Sequence, residues 1–404
     1  MTTFTLTATN PNGHTTATAS VDVATVGDRF VDAANGSDAG DCTQPAPCKT
    51  IAKAMTVATN GSTVYLADGD YTPATQVNGA TIADGVTLSA TNAGAATIAD
   101  NFILTAAGSA VLNGLVFGAT NVNSPTCGGI TANSTTGTPT LLMTGVLIKC
   151  IGAVNIGGTV KATMQPGLLP GGLYTAAMPN SYFPMITVSN SADLQIDGGI
   201  SDGNTTGAPA FGGGWFIVQN AATMTLSGVT VRNRTQETIA LVDTAKVSLT
   251  NSTLLTSLGV AGDCGAAVIV GGTATLSLDH SQISNNPGQA ICVNNGTSAA
   301  TIHVANGSAI TQNTVGIASL STGATAVVTI DHSSFTNNGS GIEWNGFPGS
   351  SFTITSSTLT GNGTGISFQG LGGSLTLRGS NVSSNTGTGV SVGQAGATAV
   401  SADL

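Results

Sequence analysis

Residues 275–286 read TLSLDHSQISNN, and the phrase returns as TIHVANGSAITQN at 301–313, VVTIDHSSFTNN at 327–338, SFTITSSTLTGN at 351–362 and SLTLRGSNVSSN at 374–385. The first apolar position of each copy, Leu276, Ile302, Val328, Phe352 and Leu375, recurs at steps of 26, 26, 24 and 23 residues. A fixed period of that length marks a stacked repeat. Each copy opens on an alternating apolar pair, such as Leu276 with Leu278 or Val328 with Ile330, and a third apolar station follows at Ile283, Ile310, Phe335, Leu359 or Val382. An Asn comes next (Asn286, Asn313, Asn338, Asn362, Asn385), and then another inward candidate at Ile291, Ile317, Ile342, Ile366 or Val390. Period-two alternation predicts strands, and the Asn and Gly between them predict turns with positive φ. Each unit is therefore one coil of three very short strands.

One coil cannot bury its own apolar face. Stacking coils about 4.8 Å apart pairs every strand with its neighbour in parallel and closes a continuous core. The expected fold is all-β, a parallel β-helix of about 10–12 coils. The recurring Asn has two readings: an amide ladder running from coil to coil, or a residue chosen only because it tolerates the left-handed region.

Composition agrees with a polar-clad solenoid. Of 404 residues, 55 are Gly and only 7% are charged, while 41% are hydrophobic. Disordered chains show the opposite balance. A net charge of −10 with nine Lys plus Arg removes the counterion-release attraction that drives nucleic-acid binding, so nucleic acid and anionic membrane are poor partners. No run of apolar residues is long enough to insert into a bilayer, and the opening TTFTLTATNPNG lacks the basic start and apolar core of a secretory signal.

The six Cys carry a second message. Cys42 and Cys48 close a short loop in DCTQPAPC, Cys264 and Cys292 stand about one coil apart at what reads as nearly the same station, and Cys127 with Cys150 forms a less regular pair. An even count in a β protein of low charge points to disulfides and an oxidising, extracellular setting. Free buried thiols or a metal site are the bland alternative, which lacks a His at ligand spacing.

In chain order, residues 1–25 alternate around NPNGH and predict a β-hairpin, which resembles the last two strands of an immunoglobulin-like domain. Residues 26–73 change period: Ile51, Ala54, Met55 and Ala58 share one face of a short amphipathic helix, and TVYLA from Thr63 reads as the first buried strand. A helix over the first coil would shield its core and strand edges. The order FVD, Asn-Gly-x-Asp, a Pro-rich loop, KTI with an Ala-rich helix, then VYLADGDY resembles the N-terminal cap of bacterial secreted β-helix proteins of the pectate-lyase-like superfamily. It is most similar to a secreted domain of unknown function. That resemblance, with the repeats, spans roughly residues 29–392 and implies a right-handed β-helix, while for activity it implies little, since the superfamily includes lyases, hydrolases, epimerases, tailspikes and adhesins. The helix body is expected over 74–392, with loop insertions at 151–184 and 205–215 and a final strand or tail over 393–404.

Candidate sites lie where the rhythm fails. Tyr174, Tyr182 and Phe183 on one insertion and Phe211 with Trp215 on the other concentrate aromatics in a chain that is 4% aromatic. They would stack on sugar faces, or merely pin the loops. In VRNRTQE, Arg232, Arg234 and Glu237 stand one coil beyond Asp202, a set that would serve as the base and cation of a lyase or as a surface ion pair of small consequence. Asp32, Asn35, Asp38 and Asp41 offer spaced oxygens for Ca²⁺, the one cofactor considered, or simply a polar turn closed by a disulfide. His280, His303 and His332 read as exposed repeat residues. No nucleophile elbow, P-loop or dinucleotide fingerprint appears.

The sequence thus favours a non-catalytic structural or adhesive module, secreted or on a bacterial cell surface, touching polysaccharide or surface glycan through inserted loops. The enzyme alternative is a polysaccharide lyase or glycoside hydrolase. A weaker one is an ice-binding face of aligned outward Thr. Oligomeric state is not legible.

Overall fold

The computed structural model describes residues 2–10, 13–21, 27–76, 79–118, 128–149, 153–165, 173–175, 186–202, 216–234, 237–257, 265–294, 299–320, 323–345, 349–369, 373–393 and 401–403. Thr2–Asn10 and Gly13–Val21 form an antiparallel hairpin, a sheet of their own. All the remaining strands belong to a parallel solenoid whose coils visit three sides in turn. Among the described residues the first side is one sheet of 15 strands, and the third is one of 13. The second side is split into a four-stranded sheet ending at Leu147–Ile148 and a nine-stranded sheet beginning at Leu173–Thr175.

The repeated phrase maps onto this without slippage. Leu276, Ile302, Val328, Phe352 and Leu375 are register partners in successive first-side strands, and Ile283, Ile310, Phe335, Leu359 and Val382 are partners on the second. Alternation then decides burial. In Thr275–Asp279 the two Leu face the dry interior and their neighbours face out. Near the far end the core thickens with aromatics: Trp344 and Phe368 flank Phe352 at 5.0 and 5.2 Å between ring centroids.

The asparagine question resolves into two adjacent residues with separate tasks. The left-handed conformation belongs to the residue before the repeated Asn: Asn285, Gln312 and Asn337 have φ of 57°, 57° and 56°. The repeated Asn itself is buried (Asn362 at 0%, Asn286 at 1%) and builds the ladder. Asn286 Nδ2 donates to Asn313 Oδ1 at 2.6 Å, Asn313 Nδ2 to Asn338 Oδ1 at 3.0 Å, Asn338 Nδ2 to Asn362 Oδ1 at 3.1 Å and Asn362 Nδ2 to Asn385 Oδ1 at 3.1 Å. Each Oδ1 also accepts the backbone N–H of the preceding ladder Asn. The other amide proton reaches back to a main-chain carbonyl, as from Asn338 to Ile310 O at 3.0 Å. No polar atom of the buried amide is left idle.

A second polar row stands at the corner between the first and second sides. Ser252 N donates to Ser281 Oγ, Ser281 N to Ser308 Oγ, Ser333 N to Ser357 Oγ and Ser357 N to Ser380 Oγ, all at 3.1–3.2 Å. His280 and His332 immediately precede this row with φ of 48° and 47°. Their rings are exposed and bond the preceding Asp279 and Asp331 at 2.6 and 2.8 Å.

One boundary differs from the sequence reading. The supposed insertion at 151–184 begins too early, because Val154–Gly158 and Lys161–Gln165 are ordinary third- and first-side strands, and Leu173–Thr175 is a second-side strand. Gly158 at φ +67° turns the corner between the first two of these; the Gly and Lys that look loop-like are a corner and an outward station, with Ala162 and Met164 buried between. In the same way Gly114, at φ +66°, bends Ala110–Asn113 on the first side into Leu115–Gly118 on the second. Insertion 205–215 lies outside the described residues. At the C-terminus Ser401–Asp403 adds a first-side strand beside Ser374–Thr376.

Asn338→Ala should destabilise its neighbourhood by roughly 1–3 kcal/mol, because it leaves the buried N–H of Asn313 without an acceptor and takes one of three acceptors from its Nδ2. Asn337→Gly, one residue away, should cost no more than about 0.5 kcal/mol, since Gly suits its positive φ. Denaturation and amide exchange of both variants test the division of labour; equal losses would refute it.

Candidate functional site

The N-terminal cap shows how its acidic residues are used. Thr50 caps the helix Ile51–Val57, accepting from Lys53 N at 3.1 Å, and Ile51, Ala54 and Met55 seal the core. Asp38 binds the helix entry, with Oδ1 accepting from the N–H of Lys49 and Thr50 at 2.8 and 2.9 Å and Oδ2 from the Thr50 hydroxyl at 2.8 Å. Asp32 Oδ1 accepts from Ala34 N and Asn35 N, Oδ2 takes the Asn35 amide, and Asp41 takes the Thr43 hydroxyl. The proposed calcium oxygens are thus divided among local networks, and the described residues contain no group of three His, Cys, Asp or Glu placed to hold a metal. Gln76, fully buried in a short helix that the sequence did not announce, accepts from Ile51 N and donates to Lys49 O.

The cysteines follow the expected pairing in part. Cys42 and Cys48 are bonded, and Cys292 is disulfide-bonded as well. Cys127, Cys150 and Cys264 lie outside the described residues. The register partner of Cys292 in the preceding coil is Ile269.

For the charged knot, the structure supplies register. Asp202 and Arg232 are direct partners in adjacent second-side strands, and Arg234 pairs with Ser257 one coil on. Asn233 between the two Arg is left-handed at φ 58°, which interrupts the alternation. Arg232 and Glu237 are half-buried; the side chains of Asp202 and Arg234 lie outside the described residues. Tyr174 occupies a strand position opposite Ser201, while Tyr182, Phe183, Phe211 and Trp215 lie outside the described residues.

A feature unread in the sequence lies on the same side. Just past the second-side strands, a groove of about 580 Å³ runs across successive coils, lined by Thr256, Asn285, Gln312 and Asn337 on one flank and by Pro287 and Thr314 on the other. Ladder residues Asn286 and Asn313 form part of its floor. The available signal was the doublet itself, NN, QN, NN: one residue of each pair is buried and its neighbour is exposed. Elsewhere, Phe30 and Tyr65 stack on the outer face of the first side, centroids 5.2 Å apart and planes 19° apart, but ring covers ring along the coil axis.

The outward first-side row runs Thr225, Ser248, Ser277, His303, Thr329, Thr353 in register, while the row beside it contains Lys161, Asp193 and Lys246. That face lacks the unbroken Thr ladder an ice-binding surface requires. Among the described residues, no helix is long and apolar enough to cross a membrane.

Comparison with known proteins gives the class. Residues 266–403 match the family model described as the right handed beta helix region. The solenoid is accordingly a right-handed parallel β-helix, the architecture that the resemblance to the pectate-lyase-like superfamily implied. No curated protein matches the chain. Similar solved structures include pectate lyase Pel9A (14% identity, 83% of this chain and 79% of that one, TM-score 0.42). The catalytic unit of a GH87 alpha-1,3-glucanase from Streptomyces thermodiastaticus is another (14% identity, 93% and 68%, TM-score 0.48). So is the A-module of the Azotobacter vinelandii mannuronan C-5 epimerase AlgE6 (12% identity, 87% and 91%, TM-score 0.36).

Burial pushes the Asp38 carboxyl up, but the Thr50 and Lys49 donors and the Lys53 charge outweigh it and hold it below its ordinary value. A depressed folded pKa means that its stabilisation is complete above the unfolded value near 3.8 and is lost as pH falls through the lower folded one. The protection of the Lys49 and Thr50 amides, measured against intrinsic exchange at the same pH, should therefore fall on acidification below the unfolded value, and Asp38→Asn should flatten that acid dependence. Unchanged exchange in the variant would show that Asp38 does not hold the cap.

Proposed function

We propose that this chain is a non-catalytic, adhesive β-helix module of a secreted or cell-surface protein, and that it contacts carbohydrate. One observation carries the reading: the groove on the second side is lined by carboxamides, hydroxyls, Pro and Gly, with no Asp, Glu, His, Lys or Arg among its walls. Cleaving a glycosidic bond calls for a general acid and a base or nucleophile beside the reacting atoms. Carboxamides do not titrate, but each offers two N–H donors and a carbonyl acceptor, which suits the hydroxyls of a sugar. The extracellular assignment is supported by the Cys42–Cys48 disulfide and the bonded Cys292, since such bonds persist in oxidising compartments.

A lyase or hydrolase is the second reading, favoured by the register pairing of Asp202 with Arg232 on the same side of the helix. The two readings separate in one assay. Incubation with a panel of neutral and uronate polysaccharides should yield neither new reducing ends nor unsaturated products, while sedimentation with at least one of them retains the protein. Product formation abolished by Arg232→Ala would establish the enzyme instead.

A further inference from the structure

We infer that the groove on the second side takes a neutral, linear polysaccharide laid along the solenoid axis, its sugars in step with the coils. This rests on the carbohydrate-binding reading above and goes further by naming the ligand's charge, shape and direction.

The flank of the groove is a row of left-handed residues, one from each coil: Thr256 (52°), Asn285 (57°), Gln312 (57°) and Asn337 (56°). A positive φ comes easily to Gly and Asn, but a β-branched residue there is an outlier. The next coil places Gly361 at this station, so the fold accepts the residue that would remove the strain. Thr256 and Gln312 keep side chains where Gly would be cheaper, and strain retained in this way points toward use of the side chain.

The second observation is which amides are spent. Asn286, Asn313 and Asn338 are consumed in the buried ladder. Their neighbours Asn285, Gln312 and Asn337 are exposed. Among the described residues, Asn285 makes one long side-chain bond, to Ser284 Oγ at 3.4 Å, and none is recorded for the Gln312 or Asn337 carboxamides. Free donors and acceptors therefore recur at the coil spacing of about 4.8 Å, on a base whose pitch the ladder fixes. An extended β-1,4-linked hexose polymer advances by roughly the same step per sugar, with alternate sugars turned over, so one set of hydroxyl contacts can recur at every second coil.

Charge selects the ligand. No titratable group lines the groove, and the chain carries a net charge of −10. A polyuronate would find no cation among the residues lining the groove, the positions of Arg232 and Arg234 standing one coil beyond its Thr256 end, and it would carry the same sign of charge as the chain as a whole. A neutral chain meets neither obstacle, and its affinity accumulates over contacts that are singly weak.

The test uses the full chain with cello-oligosaccharides, from the disaccharide to the hexasaccharide, as neutral probe and oligogalacturonates as acidic probe. Affinity for the neutral series should climb with length, level off once the groove is spanned, and be insensitive to salt. The triple variant Asn285→Gly, Gln312→Gly, Asn337→Gly removes the carboxamides, suits the backbone and leaves the ladder intact, so it should fold normally and lose roughly tenfold or more in affinity. Binding unchanged in the triple variant, or a salt-sensitive preference for oligogalacturonate, overturns the inference. Loss of binding in Trp215→Ala but not in the triple variant moves the site to the aromatic insertions and preserves the broader reading. A chain that binds neither these probes nor any other polysaccharide removes both.

Discussion

A carboxamide buried in a dry core is tolerated only when every donor and acceptor on it is met, and the column from Asn286 to Asn385 meets that condition by making each amide the partner of the next. The requirement fixes much else. Coils must stack in register, because an amide out of line leaves unpaired groups on two coils at once. The residue before each Asn must take a left-handed turn so that the Asn points inward. The strands on either side of the corner are thereby held in the same phase along the whole column.

The corner so specified has an inside and an outside that differ in obligation. Inside, the amides are committed to one another. Outside, the preceding residue has its backbone dictated and its side chain free, so that Asn285, Gln312 and Asn337 are presented at a pitch set by buried neighbours. Precise spacing on the surface is inherited from the core, and no loop has to be rigidified to obtain it. The Ser row and the exposed His280 and His332 repeat this logic at the corner between the first and second sides.

Much of the scaffold is legible from period alone, because apolar stations at constant phase admit few other folds. The cap helix was readable from Ile51, Ala54 and Met55, and the Cys42–Cys48 bond from its short loop. The failures have physical causes. Gly158 and Lys161 read as loop because a solenoid puts glycine at corners and polar residues at outward stations, both of which imitate loop composition. Gln76 was silent because its value depends on Lys49 and Ile51, distant in sequence. The groove escaped attention because sequence directs the eye to aromatics and charges, whereas its walls are residues of ordinary type in an uncommon backbone state. In the doublet NN, composition cannot say which residue turns and which buries.

The unequal repeat steps of 26, 26, 24 and 23 residues have a consequence of their own. The interval from the last inward station of one coil to the first of the next shrinks from Ile291–Ile302 and Ile317–Val328 to Ile342–Phe352 and Ile366–Leu375, so much of the variation is confined to the corner between the third and first sides. The ladder Asn keeps its place relative to the second-side station before it, from Ile283–Asn286 to Val382–Asn385. Length can therefore drift most at one edge of the prism while the ladder corner is held to within one residue, which lets a lineage lengthen, trim or decorate one border of the molecule with little change at the other.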